Sequence, residues 1–229
     1  MIETIGVLGA MPEEVALLAA RLEGKETQKL AGVEFIRGEM EGKTVVVCCA
    51  GMGKVNAAVA AQLLISIFGA KALVFSGIAG NMSTGIGVGD MVISNEAVYH
   101  DAELPMIAQS YPFLSAYPAD PALIEAARSA CKAAGVRYLV GRIATGDLFI
   151  GDSETKRKIE AACHPACVEM EGAAVAQVAA KNDIPFVILR TMSDNCDEDA
   201  REKLVVQQFD ITEYCRTAST VTAGVIARI

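Results

Sequence analysis

A chain of 229 residues, 52% of them hydrophobic and 21% charged, carries enough apolar side chain for a sizeable core, which excludes a disordered protein. Its formal net charge of −8, with no Lys/Arg cluster, makes nucleic acid and an anionic membrane poor partners. Seven scattered cysteines without a CxxC, and only His100 and His164 beside them, form no metal pattern and read as free thiols of a reducing cytoplasm.

The N-terminal MIETIGVLGAMPEEV has no basic n-region, and Gln62, Gly69 and Lys71 interrupt the most apolar window, 57–75, so neither a signal peptide nor a membrane span is expected. Residues 4–8 read as a buried strand ended by Gly9. Pro12 then opens a helix over 12–22 with apolar positions at Val15, Leu17, Leu18 and Leu22. Runs 33–40 and 43–49 flank Glu41-Gly42 as a hairpin. A helix over 54–68 leads to a buried strand at 72–76 and another at 91–94. Residues 95–121 hold four of the prolines and read as irregular. A helix over 122–134, a strand over 140–145, a helix from Ser153 to 162 and a strand over 167–170 follow. The chain finishes with a helix over 172–182, a strand over 186–192 and a helix from about 211.

Short apolar strands separated by helices imply a single α/β domain: a mixed, mostly parallel twisted sheet flanked by helices on both faces. In such sheets ligands bind beyond the carboxyl ends of the strands, so the residues there carry the functional weight. Strand one ends in Met-Pro-Glu13-Glu14. Acids in a first helical turn commonly do no more than complement the helix dipole, while one that faces a cleft serves as a base. Gly51-Met52-Gly53-Lys54 is a glycine nest for an anion or a polar ligand edge, but it satisfies neither the P-loop nor the dinucleotide fingerprint. Ser76-Gly77-Ile78-Ala79-Gly80-Asn81 and Thr145-Gly146-Asp147-Leu148-Phe149-Ile150 also follow buried strands. In Val168-Glu169-Met170-Glu171-Gly172, two acids end an apolar strand, which is costly unless they are paired or solvated. In Arg190-Thr191-Met192-Ser193-Asp194, an Arg inside an apolar strand needs an acidic partner, and structural ion pairing and catalysis weigh about evenly. Glu14, Glu171 and Asp194 can converge on one cleft. Carboxylates without a metal set or a nucleophile suit acid/base work at an acetal-like centre such as a glycosidic bond.

These motifs resemble those of bacterial 5′-methylthioadenosine/S-adenosylhomocysteine nucleosidases, in the nucleoside phosphorylase superfamily. The resemblance is carried by IGVLGAMPEEV (5–15), AGMGKVNAA (50–58), SGIAGN (76–81), VGDMVISNEAVYHDAE (88–103), TGDLFI (145–150), VEMEGAAVAQVA (168–179) and PFVILRTMSDNCDE (185–198), in the family's order over almost the whole length. It implies a nucleoside phosphorylase-like fold and cofactor-free hydrolysis that frees adenine and a 5-substituted ribose. It implies that Glu14 activates water and that Asp194, positioned by Ser193, protonates adenine N7. Glu171 would hold the ribose hydroxyls with Arg190 in support, and Met170 would lie against the sugar. Phe149 would stack on adenine, the Ile150 backbone would bond it, and Met52 would border the alkylthio side. It also implies a homodimer whose 104–118 stretch closes the partner's pocket. The chain departs from the pattern at Ile78, where many relatives have Ser, which removes a polar ligand contact. It departs again at 208–214, where Phe209 or Tyr214 would cap the 5′ group. Rival readings are a nucleoside phosphorylase or futalosine-type hydrolase on the same fold, and a non-catalytic nucleoside-binding protein. The glycine loops offer a phosphate only Lys54, which reads as solvated or helix-facing.

Overall fold

A computed structural model describes residues 3–205 and 210–229. The elements are β1 (Thr4–Gly9), α1 (Pro12–Arg21), β2 (Glu23–Leu30), β3 (Val33–Met40), β4 (Lys43–Cys49), α2 (Lys54–Ser66), β5 (Ala72–Asn81) and β6 (Met91–Tyr99). There follow α3 (Leu104–Ile107), β7 (Tyr117–Pro118), α4 (Pro121–Ala134), β8 (Tyr138–Thr145), α5 (Ser153–Cys163) and β9 (Cys167–Glu169). The last are α6 (Gly172–Lys181), β10 (Phe186–Asp194), α7 (Glu198–Val205) and α8 (Thr212–Ile226).

The sheet closes on itself through β5. One edge of this ten-residue strand pairs in parallel with β10 along most of its length. The other edge is shared: β1 takes Ala72–Phe75 in parallel, and β9 takes Gly80 and Asn81 antiparallel. From β10 the ring continues antiparallel to β6, then in parallel to β8 and β9, and so back to β5. Outside the ring β1 leads to β4, β3 and β2. The sheet is therefore a mixed one with a closed barrel, and the expectation of a mostly parallel twisted sheet is corrected. The β2–β3–β4 meander, the turned-over β6 and the short return strand β9 supply antiparallel pairs. Closure gives the ring strands partners on both sides, which removes exposed edges.

Helices cover both faces because the strand side chains alternate. Leu8, Leu73 and Phe75 pack with Ala57, Ala61 and Leu64 of α2 and with Ala173 and Ala176 of α6. Ile5, Val7 and Val74 pack on the other side with Leu18 of α1, Leu123 and Ala127 of α4, and Val221 and Val225 of α8. The helix ends follow local chemistry. Asp120 caps α4 by accepting from Ala122 and Leu123 N–H, ahead of Pro121, and Gly135 ends it at φ 67°. Asp152 caps α5 by accepting from Thr155 N–H.

Several elements outrun their sequence signals. β2 (EGKETQKL) is almost wholly exposed and has no apolar alternation. The irregular 95–121 stretch holds the end of β6, the short helix α3 and β7. β5 and β10 continue past their apolar runs, so SGIAGN and the Ser193-Asp194 pair lie on strands instead of in loops.

Candidate active site

Glu14 is the third residue of α1 and reaches back to the start of its own helix. Its Oε2 accepts from Ala10 N–H at 2.6 Å and Met11 N–H at 3.0 Å. Its Oε1 accepts from Ile78 N–H at 2.9 Å and lies 3.7 Å from Arg190 Nη1. The capping role and the cleft-facing role belong to the same side chain. Three backbone donors occupy three of about four acceptor sites, which leaves Oε1 one open lone pair. Glu13 beside it is exposed.

Arg190 projects from β10 and is buried in the middle of three carboxylates. Nη1 donates to Ile78 O at 3.2 Å. Nη2 donates to Glu169 and, at 3.2 Å, to Glu171 Oε2. The guanidinium carbon sits 4.1 Å from the centre of the Phe75 ring. Burial works against the cation, but Glu169, Glu171 and Glu14 outweigh it and raise its pKa. Gly77 makes this crossing possible: a Cβ there would lie 2.3 Å from both Arg190 Nη1 and Glu14 Oε1.

The two acids at the end of β9 divide cleanly. Glu169 accepts from the Thr145 hydroxyl, Glu171 N–H, Gly172 N–H and Arg190, which fills its acceptor capacity and ties β9 to β8, β10 and α6. Glu171 has one protein donor on each oxygen: Gly53 N–H on Oε1 at 2.8 Å and Arg190 on Oε2. Each oxygen keeps a free acceptor site, the pattern that a vicinal diol can fill. The Gly53 amide of the glycine loop thus meets the chain's own carboxylate. Burial raises the Glu171 pKa to about 7 against the pull of Arg190, with Glu169 adding to the rise.

Asp194 ends β10. Ser193 Oγ lies 2.8 Å from Oδ2, and Cys196 N–H donates to Oδ1 at 2.8 Å. Burial raises its pKa, against those hydrogen bonds. Gly80 leaves room for it, since a Cβ there would lie 2.2 Å from Cys196 Sγ and 3.0 Å from Asp194 Oδ1.

These groups line one cavity of about 250 Å³ at the carboxyl ends of β1, β5, β9 and β10. Glu14, Met52, Ile78, Phe149, Met170, Glu171, Arg190, Ser193 and Asp194 all lie on it. Met52 and Phe149 stand at its mouth, 61% and 41% exposed. Ile150 is off the main cavity and borders a smaller adjoining space of about 40 Å³ with Phe149 and Asp194. Of the two candidates for the 5′ cap, Phe209 lies outside the described residues and Tyr214 does not line the cavity. Ile211 does. The sequence reading also missed Ala10 and Met11, which act through backbone amides that no side-chain pattern announces.

Lys54, expected to be solvated or helix-facing, is partly exposed but committed to an ion-pair cluster. Its ammonium lies 2.9 and 2.8 Å from the two oxygens of Asp101 and 3.3 Å from Asp147 Oδ2, so its three donors are engaged.

Residues 4–229 match the sequence model of the phosphorylase superfamily. A 5′-methylthioadenosine/S-adenosylhomocysteine nucleosidase of Shewanella sediminis is 40% identical over 202 residues, covering 86% of this chain and 88% of its own. The crystal structure of the Neisseria meningitidis 5′-methylthioadenosine/S-adenosylhomocysteine nucleosidase with methylthio-immucillin-A superposes with a TM-score of 0.93 at 32% identity over the whole of both chains. Futalosine hydrolase of Helicobacter pylori superposes with a TM-score of 0.89 at 28% identity, covering 100% of this chain and 99% of its own. The chain belongs to the phosphorylase superfamily and, within it, to the 5′-methylthioadenosine/S-adenosylhomocysteine nucleosidases.

Proposed function

We propose that the chain hydrolyses the N-glycosidic bond of 5′-methylthioadenosine and S-adenosylhomocysteine, freeing adenine and the 5-substituted ribose. The observation that carries this reading is the unequal saturation of the buried acids around one cavity. Glu169 is filled by the protein, whereas Glu171 and Glu14 keep acceptor sites toward the ligand.

Asp194, with its raised pKa, donates a proton to adenine N7. The C1′–N9 electron pair then leaves with a neutral purine. Positive charge gathers on the ribose, and the ionised Glu171, bonded to the 2′ and 3′ hydroxyls, stabilises it more in the transition state than in the ground state. Glu14 takes a proton from water as its oxygen bonds to C1′. Phe149 stacks on the base, the Ile150 backbone bonds it, and Met170 and Met52 border the sugar and the alkylthio group. Ile78 holds Glu14 through its N–H while its side chain offers the ligand no polar contact. Ser193 orients Asp194, and Arg190 orients Glu171. A phosphorylase would need a free cation for phosphate, and Lys54 is committed to Asp101 and Asp147.

We also infer a single domain that works as a homodimer in a reducing cytoplasm. The seven free thiols fit that compartment. Met106, Tyr111 and Phe113 of the 104–118 stretch are exposed, and this apolar surface would close the partner's 5′ pocket. The test of the activity is a panel of methylthioadenosine, S-adenosylhomocysteine, adenosine and futalosine with products separated by chromatography. Adenine from the first two as preferred substrates supports the reading. Preference for futalosine, or binding without turnover, contradicts it.

A further inference from the structure

One charged cluster ties together the loops that carry the ligand-facing groups. Lys54 opens α2 directly after Gly53, whose N–H holds Glu171. The Lys54 main-chain N–H donates to Asp147 Oδ1 at 2.9 Å, and its ammonium engages both oxygens of Asp101. Asp101 Oδ2 in turn accepts from Asp147 N–H at 2.9 Å. Asp101 follows β6, and Asp147 follows β8 two residues before Phe149. The triad thus joins three segments that are distant in the chain. Gly53 adopts φ 95°, and a Cβ there would lie 3.2 Å from Asp147 Oδ1, so this carboxylate closes over the glycine whose amide meets Glu171.

We propose that Lys54 is a positioning residue for the nucleosidase reaction. Held by Asp101 and Asp147, it fixes the Gly53 N–H on Glu171 and ties the ribose clamp to the Phe149 loop that holds the base. The inference deepens the function proposed above and rests on Glu171 as the ribose-binding group. The pair is a weak contributor to stability, because the Lys54 and Asp101 side chains keep 24% and 22% of their exposure and such pairs are screened by water. Its leverage is geometric: misplacing a binding group by about 1 Å can cost roughly 100-fold in rate. Burial raises the Asp101 pKa, but Lys54 and the Asp147 N–H outweigh it and lower it overall.

The test is a double-mutant cycle on methylthioadenosine with Lys54→Met, Glu171→Gln and the pair together, with thermal melts of each. Asp147→Ala serves as a second variant at a half-exposed site where folding is not at risk. Lys54→Met and Asp147→Ala should each lower kcat/KM about 10- to 100-fold with little change in melting temperature. In the Glu171→Gln background, Lys54→Met should cost less than about threefold, since the group it positions is already gone. Lys54→Arg should recover part of the loss. The proposal is overturned if Glu171→Gln is impaired while Lys54→Met stays within twofold of the parent, or if the full Lys54 effect persists in the Glu171→Gln background. If Glu171→Gln is itself near normal, the ribose role fails first and the proposal falls with it.

Discussion

Arg190 shows why this site places its charges where it does. One guanidinium faces Glu14, Glu169 and Glu171, all buried, so the cluster cannot hold three ionised acids at equal cost. Glu169 sits closest to the cation and is filled by donors. Glu171 takes the strain, with a pKa near 7 because burial outweighs Arg190. Ionised Glu171 clamps the diol and protonated Asp194 donates the proton, and both pKa values are raised by burial. The two groups are needed in opposite protonation states, so activity should pass through a maximum in pH and fall on both sides of it. Asp194→Asn keeps the shape and removes the proton donor. We expect kcat to fall about 10²- to 10⁴-fold, the pH profile to lose one of its two limbs, and binding of an adenine nucleoside analogue to survive in part. Steady-state kinetics across pH with a binding titration check this, and near-normal kcat would remove Asp194 from the mechanism.

The strand β5 does more for the site than its apolar start announces. Its first half is a buried core strand between β1 and β10, and its second half passes under the site with Gly77 and Gly80 facing charged side chains. Gly77→Ala would set a methyl 2.3 Å from Arg190 Nη1 and Glu14 Oε1, both fully buried, so the ion cluster must shift. We expect a stability loss of about 1–3 kcal/mol by chemical denaturation, together with a rate loss that exceeds what that destabilisation explains. A variant with normal kinetics would show that the cluster tolerates movement. This strand also marks how far the sequence could be read. Arg190, Glu169, Glu171 and Asp194 were legible because charges that end or interrupt apolar strands demand an explanation. The hairpin at Glu41-Gly42 and the long helices were legible from turn residues and periodicity. The ring closure was not, because it depends on a three-residue strand, β9, whose pairing with β5 is long-range. β2 was missed because an exposed edge strand needs no apolar alternation. Lys54 was misjudged because Asp101 and Asp147 lie 47 and 93 residues away and meet it only in the fold.

At the scale of the molecule, α2 and the 104–118 stretch both carry exposed apolar side chains. Val55, Met106 and Phe113 are each more than half exposed, an expensive arrangement for a chain of this size in water. A two-fold dimer would bury both surfaces at once and close each cavity mouth. Light scattering at micromolar concentration should give twice the 24.0 kDa of one chain, and Phe113→Asp should shift the mass toward one chain while weakening binding of 5′-alkylthio substrates. A monomeric parent protein would contradict the dimer.

Hydrolysis by paired acids needs no phosphate clamp, and Lys54, the cation of the glycine loop, is spent on Asp101 and Asp147. The most direct test follows adenine release from methylthioadenosine by purified protein as phosphate is titrated from zero. We expect a rate independent of phosphate and free 5-methylthioribose as the sugar product. Turnover that requires phosphate and yields the sugar 1-phosphate would contradict the central claim.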